Sequence, residues 1–330
     1  FLVLFLFVII YFATFRDGLG MDYTAYKSYC ERDVIRSSNL LLIEPFAAAL
    51  ESFCYHTKFS AVIFFFVTST IICCLSIWVY KHFVNSYIAF FVFVTYTNLY
   101  MSSLNLVRQF VAASIVLFGT YYFIIQKKSP VFFLFVVIAI LFHKSAVFLL
   151  FIYFLKKDDY SSILWTGILF SSWFLDVQPL FDVPIVKNLF VSMDYLSYIN
   201  YNEMSYNKVS ASNIYLHLVV LFFLWNKGKV LKLQNFQSCI FALKLTVIGV
   251  ACANMSAETL PFAYRYAIFL SVFLPILFCF LPLLMNKQIA RVVIYIPLIV
   301  LIWTVLLGHQ NDRIYCPQRM LPIESMFDDY

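Results

Sequence analysis

Residues Lys127 to Lys157 read KKSPVFFLFVVIAILFHKSAVFLLFIYFLKK, and the topology of the chain turns on them. Basic pairs, Lys127-Lys128 and Lys156-Lys157, close both ends, while His143-Lys144-Ser145 interrupts the apolar residues between them. Short cytoplasmic loops of membrane proteins are enriched in Lys and Arg, so both ends belong on that side. The intervening segment must therefore go out and return as two short helices with His143 at the turn. A single long span is the competing reading, and it would break the charge pattern.

Working outward, the rest of the chain has the same character. Of 330 residues, 63% are hydrophobic, 20% aromatic and only 12% charged. Soluble chains carry about 25% charged residues, so most residues here face lipid or a lipid-embedded core, as a mean hydropathy of +0.87 also requires. That composition excludes a soluble enzyme, a disordered chain and a disulfide scaffold. The net charge of +6 does not point to nucleic acid, because the Lys residues sit in short clusters between apolar runs. The eight cysteines show no metal-binding spacing and read as small hydrophobes. The chain opens without Met inside an apolar run, which predicts a truncated N-terminus and one missing upstream span.

Only helices and closed barrels satisfy the backbone in hydrocarbon, and a helix needs about 20 residues to cross it. The runs have helical length. They lie at 1–15, 40–55, 59–80, 83–101, 106–125, 131–142, 146–155, 163–175, 214–225, 240–255, 264–285 and 292–307. The reading is an all-α, polytopic integral membrane protein of about 11 transmembrane helices plus a short re-entrant helix, forming a single domain over 1–330. Segment 40–55 is the re-entrant or interfacial one, because it is short and carries Glu44 and Glu51 seven apart on one helical face. Lys81, Lys127, Lys156, Lys227 and Lys287 mark cytoplasmic loops. Segment 176–212, rich in Tyr and Asn, is then an extracytoplasmic loop suited to carbohydrate or simply to an interfacial aromatic belt, and 309–330 is an extracytoplasmic tail. Seven of the eight Arg fall on the outer side, and Arg is the better bidentate partner for phosphate and carboxylate.

Four polar clusters interrupt the apolar pattern on that side. Arg16-Asp17-Gly18-Leu19-Gly20-Met21-Asp22 has two glycines for a turn that brings Arg16 to Asp22, with Tyr26 following. Arg108-Gln109 stands at the outer end of a span, where an Arg must snorkel or meet an anion. His143-Lys144 offers a general base, a phosphate donor or a hydrogen-bonded core residue. Arg265 opens another span from the outside, and Arg319 returns the tail to the same face. Convergence of Arg16, Arg108, Arg265 and Arg319 near Asp22, Glu44 and His143 is the expectation.

In this order, FRDGLGMDYTAY, IEPF, LNLVRQFVAASI, the Lys127–Leu150 segment and YRYAIFLSVFLP resemble the EpsG family of Wzy-type polysaccharide polymerases, from Phe1 to Pro317. Departures are Pro45-Phe46, where a Gly-Tyr pair is expected, and the tail Tyr315-Cys316-Pro317-Gln318.

The resemblance implies a multispanning glycosyltransferase of GT-C-like architecture in the bacterial cytoplasmic membrane, its site facing outward. It would join oligosaccharide repeat units carried on undecaprenyl diphosphate into exopolysaccharide, capsule or O-antigen. The acceptor hydroxyl attacks the anomeric carbon, so the site needs cations for the leaving diphosphate and a base for the hydroxyl. Arg108, Arg265 and Arg16 are the diphosphate candidates; Asp22 or Glu44 is the base, His143 assists either role, and Tyr26 and Gln109 contact substrate. No metal or other cofactor is expected. Expected partners are the lipid-linked oligosaccharide, the bilayer, a chain-length regulator and a flippase. A flippase or transporter of the same lipid and a ligase are the rival readings; the missing repeat symmetry and one-sided Arg speak against transport.

Overall fold

A computed structural model describes residues 2–17, 22–31, 44–57, 60–83, 86–96, 99–155, 158–176, 183, 210–256, 264–308 and 319–320. Apart from one two-residue strand pair, the regular structure in these residues is helical. Four helical stretches are long and apolar enough to cross a membrane: Ala61–Phe83, Val107–Ile124, Phe236–Met255 and Tyr266–Leu284. Where a soluble helix would present polar residues, Val3, Leu4, Phe7, Leu134, Val137, Ile163 and Leu164 are exposed. Such a surface suits lipid and not water, and the chain is a membrane protein.

The chain forms two compact units, Phe1–Tyr153 with Ile294–Tyr330, and Phe154–Val293. In the first, α1 (Leu2–Thr14) leads to β1 (Arg16–Asp17), α2 (Tyr23–Glu31) and α3 (Pro45–Tyr55). Then come α4 (Ser60–Phe83), α5 (Ser86–Thr95), α6 (Tyr100–Asn105), α7 (Val107–Ile124) and α8 (Ser129–Phe142). A 3-10 helix follows over Lys144–Phe154.

The centre of this unit is α7, which packs against both α4 and α8. Its closeness to α8 depends on Gly119: a Cβ there would lie 2.7 Å from the Phe135 Cβ. Ser76 of α4 and Ser114 of α7, both buried, share a hydrogen bond of 3.2 Å across their interface. In a membrane such a bond joins helices that have no hydrophobic reason to prefer each other over lipid.

The expected interruption at His143 is present. Helix α8 starts with Pro130 in its first turn, where a missing N–H costs nothing, and stops at His143, whose φ of −156° and ψ of 113° are extended. The expected re-entrant segment contains α3, whose 11 residues span about 16 Å, roughly half of the hydrocarbon thickness. One expected run splits: within 83–101, α5 ends at Thr95, Tyr96 lies outside a helix and α6 starts at Tyr100, while 84–85 and 97–98 lie outside the described residues. The strand β1 pairs antiparallel with β2 (Arg319–Met320), Asp17 opposite Arg319, so the tail does return to the Arg16 cluster.

In the second unit α9 (Ser162–Ser171), α10 (Ala211–Trp225) and the one-turn α11 (Lys227–Val230) precede α12 (Phe236–Ser256). Ser161 and Ser210 cap α9 and α10 by accepting from the amides of Leu164 and Asn213. The run at 264–285 is three helices, α13 (Tyr264–Ser271), α14 (Leu274–Cys279) and α15 (Leu281–Leu284), the last two with Pro275 and Pro282 in their first turns. The mostly buried α12 packs against α9, α10, α13 and α14. Helix α16 (Lys287–Gly308) starts in this unit and ends in the first. The loop at 176–212 lies almost wholly outside the described residues, as does most of the tail.

Candidate functional site

In the first unit, α3, α7 and the end of α8 bring four of the singled-out polar residues together. Glu44 is the residue before α3, held there because Pro45 opens the helix. One oxygen, Oε1, accepts from His143 Nδ1 at 2.8 Å and from the Lys144 amide at 3.1 Å. The other, Oε2, lies 3.1 Å from Arg108 Nη1. One carboxylate thus engages a ring, a backbone amide and a guanidinium from two other segments. It is 4% exposed, while the side chains of Arg108 and His143 keep 21% and 18% of their surface. The polar centre is therefore buried on the Glu44 side and open on the Arg108 and His143 side.

Glu51, two turns along α3, was legible as sharing a face with Glu44 but was not among the expected site residues. Its Oε1 lies 3.9 Å from the same Arg108 Nη1. Among the described residues neither Glu51 oxygen has a hydrogen-bond partner. Burial pushes its carboxyl up to about 7, with Arg108 pulling down and Glu44 pushing further up. Burial also pushes the Glu44 carboxyl up, but the His143 hydrogen bond, the charges of His143 and Arg108 and the Lys144 amide together outweigh it and hold Glu44 below the ordinary carboxylate range. Two acids on one short helix are thereby driven apart, one charged and one prone to hold a proton, a pattern that recurs at functional sites.

Tyr26 also joins the cluster. The Arg108 guanidinium carbon lies 5.7 Å from its ring centroid, and its buried hydroxyl is in hydrogen-bonding contact with Arg108. Gln109 is buried beside Arg108. Arg16 takes a different position: its guanidinium lies 4.2 Å above the Phe65 ring, it is 3% exposed, and among the described residues its Nε and Nη2 have no hydrogen-bond partner. A small pocket lined by Arg16, Thr68, Ser69, Tyr100 and Ser103 adjoins it. The turn residues 18–21 fall outside the described residues, and no ion pair joins Arg16 to Asp22 among those described. Asp22 instead precedes α2, its amide donating to Asn105 Oδ1 at 3.0 Å. Arg265 lies in the first turn of α13, in the second unit, and its side chain is outside the described residues.

Sequence reasoning missed a second polar cluster, in the second unit. His217 Nδ1 donates to the Asn213 carbonyl at 2.7 Å, which makes Nε2 an acceptor. That nitrogen receives Trp173 Nε1 at 2.9 Å and lies 3.2 Å from Asn254 Nδ2. Asn254 also donates to Ser172 Oγ at 2.9 Å and accepts from Asn213 Nδ2 at 3.2 Å. The i,i+4 spacing of Asn213 and His217 was the available signal. Because each ring nitrogen of His217 has its role filled, this cluster reads as a helix-joining network.

Among the described residues no three His, Cys, Asp or Glu side chains gather as a metal site. No curated protein and no solved structure matches the chain. The family model described as EpsG family matches residues 1–314, nearly its whole length, and the chain belongs to that family.

Proposed function

We propose that this membrane protein is a polysaccharide polymerase, a glycosyltransferase that joins undecaprenyl-diphosphate-linked repeat units at the outer face of the cytoplasmic membrane. The family supports the general role. The observation that carries the chemistry is the Glu44 carboxylate bridging His143 and Arg108. In this reading the site faces outward, the chain has about 11 spans with α3 re-entrant, and the product is exopolysaccharide, capsule or O-antigen.

The acceptor hydroxyl attacks the anomeric carbon of the donor, forming a C–O bond as the bond from that carbon to the diphosphate oxygen breaks. The electron pair leaves with the diphosphate, and the hydroxyl proton goes to a base. His143 suits that base better than Glu44 does, because Glu44 is already engaged three ways. Nδ1 donates to Glu44, so the hydroxyl proton passes to Nε2, and the carboxylate stabilises the imidazolium that forms. Arg108, partly exposed on the open side, meets the charge developing on the diphosphate. Tyr26 orients Arg108, Gln109 lies beside it, and Arg16, Arg265 and Asp22 belong to the wider substrate surface.

The test is the glycan size distribution in a cell lacking this protein, complemented by wild type or by Arg108→Ala at matched membrane levels. Loss of the long ladder while single repeat units still reach the surface is the expected outcome for Arg108→Ala. Loss of the single units as well would mean transport, and this reading would fall.

A further inference from the structure

Cys30 in α2 and Cys54 in α3 are both fully buried, and they belong to one cluster with Tyr23, Tyr26, Phe64, Phe65 and Val107. They come from different helices that pack against each other, both are free thiols, and each bears on the other's ionisation. Buried thiols commonly serve as small hydrophobes, but a crosslink needs two sulfurs from separate segments brought together, and the packing of α2 on α3 places these two in one cluster. On the orientation proposed above, α2 and α3 lie on the extracytoplasmic side, where disulfides persist.

We propose that Cys30 and Cys54 form a disulfide that ties α2 to α3 beside the Glu44–Arg108–His143 site. This rests on the outer-face reading for its oxidising environment. The two S–H bonds break and one S–S bond forms. Two protons pass to solvent, and two electrons reduce the disulfide of an external thiol–disulfide oxidant to a dithiol. The chain segment so closed, residues 30–54, contains both Glu44 and Glu51. Tyr26, one turn before Cys30, is in contact with Arg108. The crosslink therefore fixes the Tyr26 and Glu51 sides of Arg108 relative to each other.

The test uses the full chain in its native membrane. Free thiols are trapped in acid and blocked with N-ethylmaleimide in SDS; the sample is then reduced and treated with a maleimide-linked polyethylene glycol. Wild type is expected to gain two adducts on a gel, and Cys30→Ser and Cys54→Ser are each expected to gain none. An unshifted wild type overturns the proposal, as does a shift that persists in either variant. Denaturation precedes labelling, so misfolding of a variant does not mask the wild-type result. The orientation is read separately, from labelling of His56→Cys, an exposed position at the end of α3, by a membrane-impermeant maleimide on intact cells. Labelling with no crosslink sinks the disulfide alone. Absence of labelling until the membrane is opened sinks the outer-face reading, and the adduct count still decides the disulfide.

Discussion

Glu51→Gln gives the most quantitative test of the site's electrostatics. The Glu51 carboxyl, 2% exposed, is raised from 4.5 to about 7, with burial as the largest cause. Between those values the folded protein keeps a proton that the unfolded chain releases. The associated stability is therefore complete below pH 4.5 and is lost as pH rises to about 7. A difference of about 2.5 units at about 1.36 kcal/mol per unit makes the loss on the order of 3 kcal/mol. Glu44 has the opposite sign: its carboxyl is held low, so its contribution is present above the ordinary carboxylate value and is lost as pH falls through its folded value. The two windows do not coincide, and between pH 5 and 7 the profiles of wild type and Glu51→Gln differ by the Glu51 proton. A neutral amide does not titrate, so Glu51→Gln is expected to flatten that slope. The assay is thermal unfolding in detergent at several pH values, followed by tryptophan fluorescence. Superimposable pH profiles for wild type and Glu51→Gln would refute the reasoning.

Glu44→Ala leaves the largely buried Arg108 charge without its nearest partner and the Lys144 amide without its acceptor, a cost of about 3 to 5 kcal/mol that should appear as a lower melting temperature. Gly119→Ala places a methyl against the Phe135 Cβ, not against a flexible tip, and should cost about 1 to 3 kcal/mol in the same assay. Asn254→Leu removes a partner from Ser172, Asn213 and His217 and should cost about 1 to 3 kcal/mol, with a changed Trp173 emission as its local signature. Each would be contradicted by unchanged unfolding, and the Asn254 case also by unchanged Trp173 emission.

What could be read from the sequence followed a simple division. Lys127-Lys128 and Lys156-Lys157 were enough to place a break near His143, because charge at the membrane surface constrains topology independently of packing. The seven-residue interval between Glu44 and Glu51 placed both acids on one helical face, because helical geometry is local. The split of 83–101 was not legible: hydropathy reports where a chain is buried and not where its helix ends. Nor was the place of Arg16 over the Phe65 ring, or the meeting of His217 with Asn254, since both depend on which distant residues pack together. The roles within the site divide the same way. That Glu44, Arg108 and His143 are unusual in apolar surroundings is written in the chain; that Glu44 is the hub and His143 its ring partner comes from three-dimensional contact.

The bonds to Glu44 join residues 99 and 100 positions apart. At a synthesis rate of about 5 to 20 residues per second, the carboxylate waits roughly 5 to 20 s before His143 and Lys144 have been made. During that interval the two helices of this region that are long enough to cross a membrane, α4 and α7, are made while α3 has neither its ring nor its amide partner. A helix too short to span can remain at the surface through such a delay, whereas a spanning helix would hold an unpaired acid in hydrocarbon. Assembly of the site is thus timed by the emergence of the 3-10 segment, and nascent chains stopped before residue 143 should keep α3 open to protease.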